Sequence, residues 1–123
     1  MDGSHRTVLH STGLSNAYAL TLDYANQILY WASEGYNRIE RSSVDGSGRA
    51  VVGTYHSRYS PFTITYYNGR IYWADTYYYR VYSTPNTSVS ITSVSSSLGY
   101  YPISIRVIAE QSQPEGLLQN LLM

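Results

Sequence analysis

The residue types that carry catalysis or metal binding are sparse and scattered in this sequence. The three histidines, His5, His10 and His56, lack the paired spacing that a zinc site or a histidine-centred triad shows locally. The sequence contains no nucleophile elbow and no phosphate-cradling glycine loop, and serine is too abundant for any single one to stand out. We therefore predict a chain that is not an enzyme, with no catalytic residue, no metal and no cofactor.

Three aspartates lie at the ends of strand-like runs or in turns: Asp23, Asp45 and Asp75. At such places a short carboxylate commonly accepts hydrogen bonds from nearby backbone N–H groups. We interpret these carboxylates as supports for turns and strand ends, and not as metal ligands.

The composition favours strands and disfavours two classes of partner. Fifteen of the 123 residues are tyrosine, and aromatic side chains fit the half-buried surface of a sheet well. Eight basic residues balance eight acidic ones, so nothing marks the chain as a binder of nucleic acid. No apolar run approaches the roughly 20 residues that cross a bilayer, so we expect no direct membrane insertion by this segment. The chain has no cysteine, which leaves its compartment open.

A repeat organises most of the chain. Tyr30-Trp31-Ala32-Ser33 recurs 42 residues later as Tyr72-Trp73-Ala74-Asp75, and the same displacement maps Arg38-Ile39 onto Arg80-Val81. Turn formers such as Asn68-Gly69 separate short strand-like runs. The predicted strands are 17–23, 28–33, 38–44, 49–54, 61–66, 70–75, 79–83 and 89–94. Four antiparallel strands every 40 to 45 residues or so is the period of a propeller blade.

The order of residues within the repeat carries a family resemblance. Tyr30-Trp31 and a small residue are followed by Arg38-Ile39-Glu40-Arg41 and then by Asp45-Gly46-Ser47, and the second copy has an acid, Asp75, after its small residue. This resembles the YWTD repeat, also called the LDL-receptor class B repeat, of the lipoprotein-receptor, nidogen and Wnt-coreceptor kind. The resemblance implies an all-β fold, a partial β-propeller with about two and a half four-stranded antiparallel blades of a six-bladed ring.

The resemblance also divides the chain, with the partial propeller expected over residues 1–116. Its parts are the end of one blade at 1–12, a blade at 13–55, a blade at 56–98 and a closing strand at 99–108. Residues 117–123 are interpreted as an atypical C-terminal tail, where the family leads into an EGF-like neighbour. We expect a piece of a longer protein, because unpaired strand edges and open blade faces would otherwise remain.

The family's signature residues have a structural interpretation. Large flat side chains in the second strand can fill the space between neighbouring blades. The structural signature residues are Tyr30, Trp31, Tyr72, Trp73, Asp75 and Arg41. Ser33 stands where the family has aspartate, so we expect side-chain hydrogen bonds to be missing there.

In a propeller, the loops between strands two and three and between successive blades lie on one face, which commonly binds partners. Exposed tyrosine with arginine is the composition of interface hot spots. The resemblance to lipoprotein receptors, whose propeller is associated with ligand release at endosomal pH, implies such a role for a loop histidine. The ligand-binding candidates are Glu34, Tyr36, His56, Arg58, Tyr77 and Tyr78. The alternative is that these tyrosines shield loop backbone or pack against neighbouring blades.

The resemblance implies an extracellular or cell-surface protein-binding module within a larger protein. Expected partners are extracellular protein ligands, together with the remaining blades or an EGF-like module of a parent protein. Asn86-Thr87-Ser88 is a sequon, which makes Asn86 a glycosylation candidate. The competing hypothesis is a structural or degenerate propeller remnant that retains no binding.

Overall fold

The computed structural model describes residues 4–17, 19–96, 98–99, 104–108 and 117–121. Two four-stranded antiparallel sheets and one two-stranded sheet make up the described fold. The first sheet, blade 1, contains β1 (Ala19–Asp23), β2 (Ile28–Ser33), β3 (Arg38–Ser43) and β4 (Ala50–Thr54), with a 3-10 turn at Glu34–Tyr36. The second, blade 2, contains β5 (Pro61–Tyr67), β6 (Arg70–Asp75), β7 (Arg80–Pro85) and β8 (Thr92–Ser93). The third pairs β9 (Ser104–Ile108) with β10 (Leu117–Leu121).

The all-β propeller-type fold predicted from the repeat is confirmed, and the sheets do not close into a ring. Seven of the eight predicted strands lie within two residues of their predicted bounds. The eighth is shorter, with Thr92–Ser93 in place of 89–94. Thr84 is the reason, because its hydroxyl accepts the N–H of Ser90 at 2.7 Å and donates to the carbonyl of Ser88 at 3.0 Å. These bonds hold the approach to β8 in a turn and away from the strand ladder.

The turns use the chemistry that the sequence indicates. Asn68 and Gly69 both have positive φ, 47° and 80°, as a tight two-residue hairpin requires. Asp45 accepts the backbone N–H of Ser47 at 2.9 Å, and Asp23 accepts that of Asn26 at 3.3 Å. The prediction that these carboxylates support turns is therefore confirmed.

Each blade has two faces, because successive side chains of a strand point to opposite sides. We call the side that carries the tryptophan the Trp face, and the side that carries the preceding tyrosine the Tyr face. The Tyr face of blade 1 and the Trp face of blade 2 share one buried cluster. Its buried members are Ala19, Tyr30, Ala32, Ile39, Tyr55, Ile64, Ile71, Trp73 and Tyr82. The core of the described structure therefore lies between the two blades.

Ring stacking and hydrogen bonds fix the relative position of the two blades. The Tyr30 ring stacks on Tyr66 with 5.6 Å between centroids and 6° between planes. The Tyr30 hydroxyl accepts a hydrogen bond from Asn86 Nδ2 at 2.9 Å. Thr21 Oγ1 accepts the backbone N–H of Tyr66 at 2.9 Å. Each of these contacts joins blade 1 to blade 2, so the packing has a defined register.

The Trp face of blade 1 is open where that of blade 2 is closed. Leu20 is 63% exposed, whereas Ile64, at the equivalent place in blade 2, is 5% exposed. Residues 4–17 form no strand and lie partly across this face. The open cleft that remains has a volume of about 280 Å³ and is lined by Val8, Leu9, His10, Leu14, Ala17, Leu20, Leu29 and Trp31.

Candidate functional site

Three loops meet at one end of the two blades, and we call this surface the loop face. It consists of residues 34–37, 55–60 and 76–79. Strand register places them together, because Ser33 pairs with Arg38 and Arg38 pairs with Thr54 at the same end of blade 1. Pro61 pairs with Asp75 at the matching end of blade 2. The sequence prediction that these loops share a face agrees with this register.

Asp75 is the polar centre of the loop face. Its buried carboxylate accepts the backbone N–H groups of Ser60 at 2.9 Å, Tyr77 at 3.0 Å and Tyr78 at 2.9 Å. It also accepts the indole N–H of Trp73 at 3.1 Å. Four donors satisfy one carboxylate, so Asp75 ties two loops and the core tryptophan together.

Ser33 occupies the position of Asp75 in blade 1 and makes fewer bonds. Its hydroxyl donates to the carbonyl of Ser15 at 3.0 Å and accepts the N–H of Ser15 at 3.4 Å. The indole Nε1 of Trp31 is buried and has no hydrogen-bond partner. The expected loss of a side-chain hydrogen bond at Ser33 is therefore confirmed, and the group left without a partner is the indole N–H of Trp31.

Aromatic rings pack closely under the blade 2 part of the loop face. Tyr59 lies 5.1 Å from Tyr78 and 5.1 Å from Tyr82 between ring centroids, and it meets Trp73 edge-on at 6.1 Å. Burial raises the pKa of the Tyr59 and Tyr82 hydroxyls above the usual value near 10. Tyr78 is half-buried in this cluster, so part of its surface serves packing.

The remaining binding candidates are more exposed. Tyr36 is 46% and Tyr77 57% exposed, and the side chains of His56 and Arg58 also face solvent. His56 Nδ1 accepts the backbone N–H of Arg58 at 3.1 Å. These four are the exposed residues among the binding candidates.

Glu34 acts as a link between blades. Its Oε1 accepts the hydroxyl of Ser60 at 3.0 Å, which joins the 34–37 loop to the 55–60 loop. A second link runs from the backbone N–H of Tyr55 to the carbonyl of Asn37 at 2.8 Å. The loop face is thus one connected surface that spans both blades.

Arg38, the first residue of β3, borders the loop face and was not among the binding candidates. Its guanidinium lies 4.5 Å from the centroid of the Tyr36 ring, and its Nε lies 3.2 Å from Glu40 Oε2. Glu40 is buried and also meets Arg49 Nε at 3.0 Å. The signal was present, because residues two apart on a strand share a face, which places Arg38 beside Glu40.

Two opposing effects act on the pKa of the Glu40 carboxyl. Burial alone raises the pKa of its carboxyl, but the contacts with Arg49 and Arg38 outweigh burial and hold the pKa below its usual value. The buried carboxylate is therefore charged in the folded protein near neutral pH.

The other signature residues lie away from the loop face. Arg41 is exposed and lines a small cleft with Ile28, Ser43 and Gly48. Tyr72, the counterpart of Tyr30, is half-buried beside Ala74 and Val81.

Asn86 lies at the end of blade 2 opposite the loop face. Its Nδ2, the atom that would carry a glycan, donates to Tyr30. A glycan at Asn86 would therefore compete with this contact between blades.

The described residues offer no cluster of three or more His, Asp or Glu side chains that could hold a metal ion. Within the same residues, no helix is long and apolar enough to cross a bilayer.

Comparison with known proteins finds partial matches to receptor sequences. The chain is 40% identical over 76 residues to low-density lipoprotein receptor-related protein 5 of both Homo sapiens and Mus musculus. It is 31% identical over 75 residues to the vitellogenin receptor of Solenopsis invicta. Each alignment covers 61% of this chain and 4% of the relative. No protein-family model matches.

The solved structures agree on the fold. A chain in the crystal structure of a nidogen/laminin complex superposes on this one with a TM-score of 0.71 and 24% identity, covering 85% of this chain and 41% of that one. These likenesses and the two four-stranded sheets define the class: the chain is built of YWTD-type β-propeller repeats. The chain spans about 4% of the length of the receptors that it matches.

Ser33→Asp is expected to stabilise the fold by about 1 kcal/mol, because a carboxylate there can accept the orphaned N–H of Trp31 and that of Ser15. The free energy of unfolding, measured in urea, checks this. The reverse change in blade 2, Asp75→Ser, should destabilise by about 2 kcal/mol, since it strands several buried donors. A Ser33→Asp protein that is less stable than the parent would contradict this account of Trp31.

Stability should also depend on pH through Glu40. Because its folded-state pKa lies below the unfolded value, the contribution is present above that unfolded value, near 4.5, and is lost as pH falls through the lowered pKa. Urea unfolding of the parent and of Glu40→Gln between about pH 6 and 3 measures it. The variant should be less stable near pH 6 by roughly 1 to 3 kcal/mol and should show a shallower loss in acid. Parallel curves for the two proteins would count against the assignment.

Proposed function

We propose that this chain is an extracellular protein-binding module, a fragment of a lipoprotein-receptor-like YWTD propeller, that engages protein ligands through its loop face. The observation that carries the proposal is the exposure of Tyr36, Tyr77, His56 and Arg58 on loops held by buried hydrogen bonds. Tyrosine and arginine on a fixed backbone provide contact area at small entropic cost.

The rigidity of the loops is a second observation that supports binding, in addition to the exposure of their side chains. Asp75 fixes the backbone under Tyr77 and Tyr78, and Glu34 joins the loops of the two blades through Ser60. A preorganised surface loses less conformational entropy when a partner binds. The relatives named as receptors, and the neighbour solved in a complex with laminin, agree with a role in recognition outside the cell.

The experiment compares the 123-residue chain with a Tyr36→Ala, Arg58→Ala, Tyr77→Ala triple variant on a panel of purified extracellular proteins that includes laminin. The triple variant should lose at least tenfold in affinity, because each hot-spot truncation costs about 1 kcal/mol or more. Tyr24→Ala is the matched control, since Tyr24 is 79% exposed in the turn at the other end of blade 1.

Binding by the parent that persists unchanged in the triple variant would place recognition elsewhere on the module. If the parent binds nothing on the panel, the result supports a structural remnant without retained binding. Equal loss of affinity in Tyr24→Ala would show that the effect is not specific to the loop face.

A further inference from the structure

More arginines than carboxylates lie on or beside the loop face, and Arg58 is the exposed one while Arg38 and Arg80 are partly buried. Arg38, Arg58 and Arg80 lie on its loops or at the first residue of the strand that follows. Its carboxylates are Glu34, which bonds to Ser60, and Asp75, which is buried among four N–H donors. The chain as a whole is neutral, so this local excess is a property of the surface.

The ion pairs around Glu40 do not use all the N–H donors of Arg38. Two guanidiniums share this one buried carboxylate. Arg49 is the more fully engaged, because it also donates to the carbonyls of Thr12 at 2.8 Å and Gly13 at 2.9 Å. Arg38 Nε lies 3.2 Å from Glu40 Oε2, and this buried nitrogen forms no hydrogen bond of acceptable geometry. An arginine has five N–H donors, so the pairing leaves much of its capacity unused.

Tyr36 holds the Arg38 guanidinium in place. The charged group lies 4.5 Å from the ring centroid, within the range of a cation–π contact. The Arg38 side chain is 27% exposed, and Tyr36 is 46% exposed beside it. A guanidinium that is already held in place loses little rotamer freedom when an anion binds. Its planar set of N–H donors matches the geometry of a carboxylate.

We propose that the loop face binds an acidic segment of a protein partner, with the Arg38–Tyr36 pair as the principal carboxylate-binding element and Arg58 as a second cation. This deepens the proposed function and rests on it. The tyrosine rings supply contact area, and the arginines select negative over positive partners.

The test uses an acetylated hexaglutamate peptide as the probe and a hexalysine peptide as its opposite, titrated into the full chain by calorimetry at about 50 and 200 mM salt. Hexaglutamate should bind and weaken with salt, whereas hexalysine should not bind. Arg58→Gln and Arg38→Gln should each weaken hexaglutamate binding about five- to tenfold. Arg41→Gln is the control, because Arg41 is exposed away from the loop face.

Arg58 lies on an exposed loop, so Arg58→Gln tests the proposal even if Arg38→Gln unfolds. Equal binding of hexalysine, or an equal loss in Arg41→Gln, would overturn the proposal. So would tighter, arginine-dependent binding of a DNA oligonucleotide or of anionic lipid vesicles. If a panel protein binds through Tyr36 and Tyr77 while hexaglutamate does not, the proposed function stands and the preference for acidic partners is wrong.

Discussion

The packing of the blade 1 Tyr face on the blade 2 Trp face is the interaction on which the rest of the structure depends. A single four-stranded sheet of this size has no interior, so the blades bury their largest shared cluster by packing against each other. Tyr30 and Trp73 are both fully buried, yet they belong to different blades. The hydrogen bond from Asn86 to Tyr30 and the stacking on Tyr66 then select one register from many that apolar packing alone would allow.

The loop face is a consequence of that packing. When the blades meet in this register, the 34–37 and 55–60 loops come within hydrogen-bonding distance, and Glu34 and Ser60 join them. Asp75 completes the connection on the side of blade 2. Recognition would then come from side chains that the core does not need, such as Tyr36, Tyr77 and Arg58, whereas Tyr59 and Tyr82 serve packing. The tyrosine-rich composition therefore serves two purposes that only the structure separates.

The repeat made the fold predictable, because strand period, hairpin turns and strand-end carboxylates are all local signals. The shortened β8 was not predictable, since it depends on the Thr84 hydroxyl capturing the Ser90 N–H. Nor was the strand at residues 117–121, because Leu-Leu-Gln-Asn-Leu lacks the alternation of apolar and polar residues that predicts a strand. Tyr79 has a φ of 56°, a left-handed conformation that Asn37 adopts at the equivalent place. Nothing in the sequence marks a tyrosine for that conformation.

The most direct test of the central claim introduces a side chain at Gly53, where the two blades are in close contact. A Cβ on Gly53 would lie 2.8 Å from Val89 Cγ2 of blade 2, so Gly53→Val should force the blades apart and cost about 1 to 3 kcal/mol. Thr54→Val, at an exposed site on the same strand, is the control. Unfolding is followed by Trp31 and Trp73 fluorescence in single-tryptophan backgrounds. The account predicts that both reporters shift together in Gly53→Val and neither shifts in Thr54→Val; unchanged stability, or a shift of one reporter alone, would contradict it.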